Sequence, residues 1–504
     1  MITRADIPKE VLTVADGLEK AGYEAYLVGG CVRDLIIGKT PKDWDLTTNA
    51  HPEQIQAIFP ESFHNNDFGT VGVKNPVRTD EASSTSNGTS EETEDETLKV
   101  IEVTPYRTEG KYSDARRPDH VEFGVSLEED LKRRDFTVNA MAFRPQDEKL
   151  VDLFGGADDI KKKRLKTVGN PDERFEEDAL RMMRAVRLSA QLNFAIESET
   201  MASITKNSSN LKLISIERIA DEFTRTLMSD VPMLGIVMFQ KLGLLQYILP
   251  ELEEGIGCEQ GGTHAYDVYE HNLRTCQAAA DKGFSIDMRY AALLHDIAKP
   301  RTRGKGKHKE YSFYGHEVVG AKMVKNILRN LRMPREMSEK VVNLVRWHMF
   351  FADPDEITLA AVRRTIVRIG EENIEDLLNL RVCDRIGTGR PKEQPFRFRK
   401  YKAMVDEARR DPISVKMLKI NGDIIMEKYG EKPGRRLGYV LHALLEEVLI
   451  EPGKNTTDYL ENRVVELLKL PDEELQKLGE AGKDKQAEEE EAAVKKIKKS
   501  HKVV

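Results

Sequence analysis

Asp43 and Asp45, two carboxylates in the run DWDLT, are the first residues whose type and spacing could do chemistry. On an extended strand successive side chains alternate faces, so the pair is expected on one side. Two acidic groups fixed together suit two divalent cations that clamp an attacking oxygen and the triphosphate of an incoming nucleotide. Magnesium, which takes oxygen ligands and keeps substrate phosphates in its shell, matches that donor set. Upstream, YLVGGCVRDLIIG (26–38) sets Gly29 and Gly30 between a strand-like and a helix-like run. Backbone N–H groups can approach a phosphate closely there, with Arg33 on the next helical turn to neutralise it. Either motif alone is common. Strand, glycine pair, helix and DxD within twenty residues form a far more specific pattern.

A second set lies in EDALRMMRAVR (177–187), where Asp178, Arg181, Arg184 and Arg187 recur every three residues. On a continuous helix they would form a slowly winding ridge, because three residues fall short of the ~3.6-residue turn. As a surface ion pair, Asp178–Arg181 would contribute only ~0.2–0.5 kcal/mol. As a base reader it would do more. Cytosine and adenine each present an amino donor beside a ring-nitrogen acceptor, which matches a carboxylate beside a guanidinium. Uracil and guanine present the reverse, so CTP and ATP would be admitted while UTP and GTP left buried polar groups unpaired. A third set follows in helical or helix-end contexts: His271, His295–Asp296 in AALLHDIAKP, His316, His348 and Asp384.

The elements that must hold these residues divide the chain of 504 residues into a mixed α/β front and a long helical remainder. The strand-like runs 69–77 and 98–106 flank a Ser/Thr/Glu stretch (80–97) that has no apolar surface to bury and reads as a disordered insertion at their turn. LEEDLKRRDFTVNAMAF reads as a short helix, a turn and a strand, and after Pro171 helical patterns continue to about Leu470 with no fixed repeat. The net charge of −8 argues against nucleic acid only superficially, because the 80–97 stretch carries seven carboxylates and no base, leaving −1 elsewhere. No apolar run approaches the ~20 residues of a spanning helix, and the amino terminus has no signal-peptide core. Four scattered cysteines form neither a disulfide framework nor a metal knuckle, and a reducing cytoplasm is expected.

LVGGCVRDLIIGKTPKDWDL resembles the signature of class II nucleotidyltransferases of the polymerase-β superfamily, which comprise CCA-adding tRNA nucleotidyltransferases and bacterial poly(A) polymerases. RRDFTVNAMA (133–142) is similar to the family's ribose-selecting segment, which implies that Arg133, Arg134, Asp135 and Asn139 lie near the triphosphate and the 2′-hydroxyl. LVDLFGG (150–156) resembles its hinge and EDALRMMRAVR its nucleotide-template helix. The resemblance also implies a third catalytic carboxylate on a neighbouring strand, for which Glu102 is the candidate. It makes 106–123 the loop that shifts the template pair from C to A. CC-only members are shortened there and this chain is not, which favours complete CCA or terminal A addition. The His/Asp series resembles an HD domain, which implies one or two divalent metals, a transition metal among the possibilities, on His271, His295, Asp296 and Asp384. His316 and His348 would serve a two-metal site. Phosphohydrolysis of RNA 2′,3′-cyclic or 2′-phosphate ends is the activity implied.

The implied fold class is α+β. It comprises a polymerase-β-like head with a mixed sheet (1–150), an all-α neck (151–255), an HD domain (256–390), a helical RNA-binding body (391–470) and a charged tail (471–504). Residues 381–410 hold ten Lys/Arg against four acids, interleaved with Phe396, Phe398 and Tyr401. Cations attract phosphate and aromatics offer stacking faces, so Arg397, Arg399 and Lys400 are RNA-contact candidates, joined by Arg435 and Arg436 in GEKPGRRLG and by the basic loop 301–309. The expected function is addition of CMP and AMP from CTP and ATP to the tRNA 3′ end, with Mg²⁺ and with no membrane or obligatory protein partner. A-only addition, poly(A) synthesis and HD phosphohydrolysis stand as alternatives.

Overall fold

In VIEVTP, Ile101, Val103 and Pro105 alternate with less buried residues, and this segment becomes a central strand of a seven-stranded sheet. The computed structural model describes residues 2–64, 69–74, 98–109, 121–261, 265–305, 310–349, 357–389, 393–411 and 414–479. The acidic stretch 80–97, the centre of the loop 106–123, residues 306–309 and the tail beyond 479 lie outside them. The described chain divides into two compact units, Met1–Ser229 with Leu234–Ile248, and Asp230–Met233 with Leu249–Val504.

The first unit contains β1 (Tyr26–Val28), β2 (Asp45–Thr48), β3 (Ser62–His64), β4 (Val71–Lys74), β5 (Val100–Pro105), β6 (Arg107–Glu109), β7 (Val121–Phe123), β8 (Met141–Arg144) and β9 (Lys149–Asp152). Sheet order is β3-β4-β5-β2-β1-β8-β9, with β6 and β7 forming a separate antiparallel ribbon. β2 and β5 run parallel with Asp45 opposite Glu102, while β4 and β5 pair antiparallel across the acidic stretch as the sequence predicted. The β1–β2 ladder pairs Tyr26 with Thr47 and Leu27 with Leu46. Asp43 therefore precedes the strand in an exposed bend, beside the buried Trp44. The alternation argument for Asp43 and Asp45 is corrected accordingly: it does not extend past the end of the ladder.

Behind β9 the chain turns sharply into the helix Gly156–Lys161, with both Asp152 carboxylate oxygens accepting backbone N–H groups, from Gly156 at 2.8 Å and Ala157 at 2.9 Å. A β-carbon on Gly156 would stand 2.2 Å from the Thr137 carbonyl oxygen. Gly156→Ala is therefore expected to destabilise the head by about 1–3 kcal/mol through overpacking, readable as a lower midpoint for its transition in a denaturant melt of the full chain. The neck follows as the helices Pro171–Glu177, Leu180–Leu192, Ser198–Asn207 and Ile216–Leu227, with a two-residue parallel ladder between Arg164–Leu165 and Ala195–Ile196.

The second unit is built from amphipathic helices. Val268–Asp281, capped by the Asp267 carboxylate on the Glu270 N–H at 2.7 Å, packs on Ile286–Leu294 and Ile374–Gly387. His316–Asn330 packs on Arg335–Trp347. Leu359–Ile369 packs on Phe396–Ala408 and Arg435–Ile450, with Arg363 reaching Asp411 at 2.8 Å and the Leu449 carbonyl at 2.7 Å. One short antiparallel ladder, Gly304–Lys305 with Tyr311–Ser312, interrupts the expected all-helical pattern.

Candidate active site

Gly29 joins β1 to the helix Gly30–Ile37 at φ 82°, a left-handed conformation that glycine adopts without steric cost. A β-carbon there would lie 3.3 Å from Arg134 Nη1 and 3.8 Å from Asp45 Oδ2, so the bare backbone borders both a guanidinium and a carboxylate. Burial first, then the neighbouring Glu102 and Asp43, push the Asp45 carboxyl up to about 6 against the pull of Arg134. Such crowded like charges fit a bound divalent cation, which would remove their mutual repulsion. The buried Arg134 Nε, which has no hydrogen-bond partner among the described residues, fits an anionic substrate.

The basic residues of this site are held by partners. Arg33 donates to Asp34 Oδ1 at 2.8 Å and to Asn139 Oδ1 at 2.7 Å. Arg133 and Arg134 share Asp130, at 2.8 and 3.3 Å. Asp130 is fully buried. Burial works to raise its pKa, but the two guanidinium groups hold it below the usual carboxylate range. Sequence reasoning overlooked Asp130, although its i,i+3 and i,i+4 spacing to two arginines was the available signal. Asp135 accepts from the Phe136 N–H at 2.8 Å and pairs with Arg184 at 3.0 Å, which links the head segment to the neck.

The expected continuous helix from 177 is corrected. Asp178 is extended, at φ −143° and ψ 103°, between Pro171–Glu177 and Leu180–Leu192. Its Oδ1 accepts the Leu180 N–H at 3.0 Å, because a short carboxylate competes for free N–H groups at a helix start. Oδ2 pairs with Arg218 at 2.7 Å. Arg181 is buried and pairs with Glu177 at 2.5 Å. Arg187 turns to the buried Glu222 at 2.6 Å, so it braces the neck.

In the second unit the six predicted His and Asp residues converge. All six are buried. His271 Nε2 lies 3.1 Å from His295 Nε2, 3.2 Å from Asp296 Oδ2 and 3.3 Å from Asp384 Oδ1. His316 Nε2 lies 3.2 Å from Asp296 Oδ1 and 3.1 Å from His348 Nε2. Two ligand groups result, His271–His295–Asp296 and Asp296–His316–His348, joined by Asp296. The Nδ1–H groups of His316 and His348 donate to the carbonyls of Phe313 and Val345, each at 2.7 Å. When neutral, both rings then direct lone pairs at one another, an arrangement that fits a cation between them. Burial disfavours charge on His271, but Asp296 and Asp384 outweigh it and lift that imidazole to about 9. Lys299, which sequence reasoning missed, contacts Asp296 at 2.5 Å.

Residues 25–166 match the family described as Poly A polymerase head domain, 193–256 the probable RNA and SrmB-binding site of polymerase A, and 268–386 the HD domain. The CCA-adding enzyme of Lactobacillus helveticus is 30% identical over 471 residues, covering 92% of this chain and 98% of that relative. The chain belongs to the CCA-adding enzyme family. Against the family member from Limosilactobacillus reuteri, identity is 44% over 241 residues, and the chain spans about half that relative's length, 54%. The crystal structure of the Bacillus stearothermophilus CCA-adding enzyme in complex with CTP superposes with a TM-score of 0.65 at 26% identity, covering 91% of this chain and 96% of that one. Membership implies divalent-metal use. No helix among the described residues is long and apolar enough to cross a membrane.

In the helical body, two expectations about RNA contact are corrected. Phe398 and Tyr401 are core residues of the helix Phe396–Ala408, their spacing with Val405 and Ala408 defining its inward face. Of the three aromatics only Phe396, 70% exposed, offers a stacking face, with Arg397, Arg399 and Lys400 exposed around it. Arg436 sits inside the first turn of Arg435–Ile450, pairs with Asp472 and donates to the carbonyls of Leu468 at 2.9 Å and Leu470 at 3.1 Å. It fastens the following segment, while Arg435 is exposed.

Proposed function

We propose that this chain builds and repairs the 3′ end of tRNA, adding CMP and AMP from CTP and ATP without a nucleic-acid template. The observation that carries the reading is Asp45 in register with Glu102, crowded by Asp43 and bordered by Gly29 and Arg134. Asp43, Asp45 and Glu102 would hold Mg²⁺, which when bound supplies activation of the attacking oxygen and neutralisation of triphosphate charge. The residues of the chain do the rest. Gly29 and Gly30 leave room for phosphate, and Arg33, Arg133 and Arg134, oriented by Asn139 and Asp130, bind it. The tRNA 3′-oxygen forms a bond to the α-phosphorus as the α–β bridge breaks, and pyrophosphate leaves. Asp178 accepts the base's amino hydrogen while Arg181 donates to its ring nitrogen. Arg397, Arg399, Lys400 and Arg435 contribute salt-sensitive contacts to the tRNA backbone. The cytoplasm is the compartment we assign, supported by four buried, unpaired cysteines.

The test gives the protein, with Mg²⁺, tRNA transcripts ending before CCA, after C and after CC, supplies each nucleotide singly and together, and sequences the 3′ ends. Growth of all three to CCA, with UTP and GTP refused, is the expected result. Extension of the CC-ended transcript alone, or long A tails, would replace this reading with A-only addition or poly(A) synthesis.

The paired ligand groups sharing Asp296 favour a second activity beside the first: metal-dependent hydrolysis of a 2′,3′-cyclic or 2′-phosphate at an RNA end. A divalent transition metal suits imidazole ligands, and removal of a blocking phosphate exposes the hydroxyl that nucleotide addition needs.

A further inference from the structure

A carboxylate and a guanidinium three residues apart can close on each other, and a pair closed in that way offers a base no free acceptor–donor edge. In this protein Asp178 and Arg181 are anchored separately. Both Asp178 oxygens have donors, the Leu180 N–H at 3.0 Å on Oδ1 and Arg218 Nη2 at 2.7 Å on Oδ2. Arg218 comes from the first turn of the neck helix Ile216–Leu227, forty residues away in sequence. Arg181 Nη1 is taken by Glu177 at 2.5 Å and by the Arg174 carbonyl at 3.3 Å, and Nη2 by the Arg133 carbonyl at 3.4 Å. Glu177 is in turn shared with Arg174 at 2.8 Å.

One further atom marks Arg218. Its Nη1 is buried and has no hydrogen-bond partner among the described residues, although Nη2 of the same group grips Asp178. A buried donor left unpaired is costly, and beside the carboxylate that would meet the base, the acceptor it lacks is one a bound nucleotide can supply.

We propose that Arg218 is a positioning residue for base selection, holding the Asp178 carboxylate apart from Arg181 so that its remaining lone pairs face the amino group of cytosine or adenine. The proposal rests on the reading of Asp178 and Arg181 as the base-reading pair. Loss of Arg218 frees the carboxylate to swing onto Arg181, and the nucleotide site then meets a neutral, closed pair. Discrimination suffers first. The reacting centre at Asp45 is untouched, so saturating nucleotide restores much of the turnover.

The experiment compares full-length protein with Arg218→Met, which keeps much of the stem, Arg218→Lys, which keeps the charge without the fork, and Asp178→Asn. Single-nucleotide incorporation on C-ended and CC-ended tRNA is measured with all four nucleotides, beside thermal melting. Arg218→Met is expected to raise KM for CTP and ATP, and to lower the preference for CTP over UTP and for ATP over GTP, by about tenfold or more, with smaller loss in kcat. Arg218→Lys recovers part of the preference. A drop in kcat or melting temperature with selectivity kept within about twofold would make Arg218 merely structural and overturn the proposal. Asp178→Asn separates the premises. If it abolishes selectivity while Arg218→Met does not, the Arg218 proposal fails alone, whereas selectivity surviving Asp178→Asn sinks the base-reading pair itself.

Discussion

Asp45→Asn is expected to lower nucleotide incorporation by at least about 10³-fold, roughly 4 kcal/mol of barrier at about 1.4 kcal/mol per decade. Asp45 is the carboxylate that the fold places in register with Glu102, within reach of Asp43 and against the bare Gly29 backbone. An amide there has nearly the same shape, so the sheet survives, but it offers a divalent cation a neutral oxygen in place of a charged one. The loss belongs in kcat and cannot be recovered with more nucleotide. Incorporation above about one-tenth of the parent rate would rule out Asp45 as an essential ligand. Proton competition gives the same site a pH signature. Burial, and then Glu102 and Asp43, push the Asp45 carboxyl up to about 6. Lowering the pH through that value protonates a metal ligand, so the rise in melting temperature produced by Mg²⁺ should be full near neutrality and shrink below about pH 6. A shift that stays constant across this window would contradict the assignment.

Asp296→Asn is expected to empty both ligand groups of the second unit at once. Its Oδ2 faces His271 and His295, each at 3.2 Å, while Oδ1 faces His316 at 3.2 Å and His348 at 3.6 Å. One carboxylate thus serves four imidazoles, whereas Asp384 lies only beside His271 at 3.3 Å and His295 at 3.8 Å. His348→Ala should cost one ion where Asp296→Asn costs all. Elemental analysis of protein loaded with a transition metal and desalted reads the count directly. Hydrolysis of a 2′,3′-cyclic-phosphate-ended RNA should fall by about 10²-fold or more with Asp296→Asn, and nucleotide addition should be unchanged. Preserved addition also certifies that the variant folds. Asp45→Asn completes the crossover by losing addition and keeping hydrolysis. Full metal content in Asp296→Asn would refute the shared site.

Much of this chemistry was legible in the chain because it is local. The glycine pair, Arg33 and the DxD run sit within one strand–helix–strand unit, where the periods of strand and helix dictate which groups can face a phosphate. The adjacent His295–Asp296 at the end of an apolar helix was equally readable, as was the antiparallel pairing of β4 with β5 across a stretch with no core-forming residues. The resemblance to the family rests on those same motifs, and the relatives bear it out. What remained hidden depends on pairs remote in sequence. Periodicity carried Asp43 onto a strand that begins only two residues later, at Asp45, and it carried Asp178 onto a helix whose free N–H its carboxylate caps. Interleaving with basic residues made Phe398 and Tyr401 look like stacking aromatics, yet their helical spacing turns them toward the core once neighbouring helices supply one. The partners of Asp178, Asp130, Arg187 and Arg436, and the meeting of four histidines on Asp296, were decided by tertiary packing. An ion pair or a metal ligand set is a property of which elements lie side by side, and local periodicity holds no information about that choice.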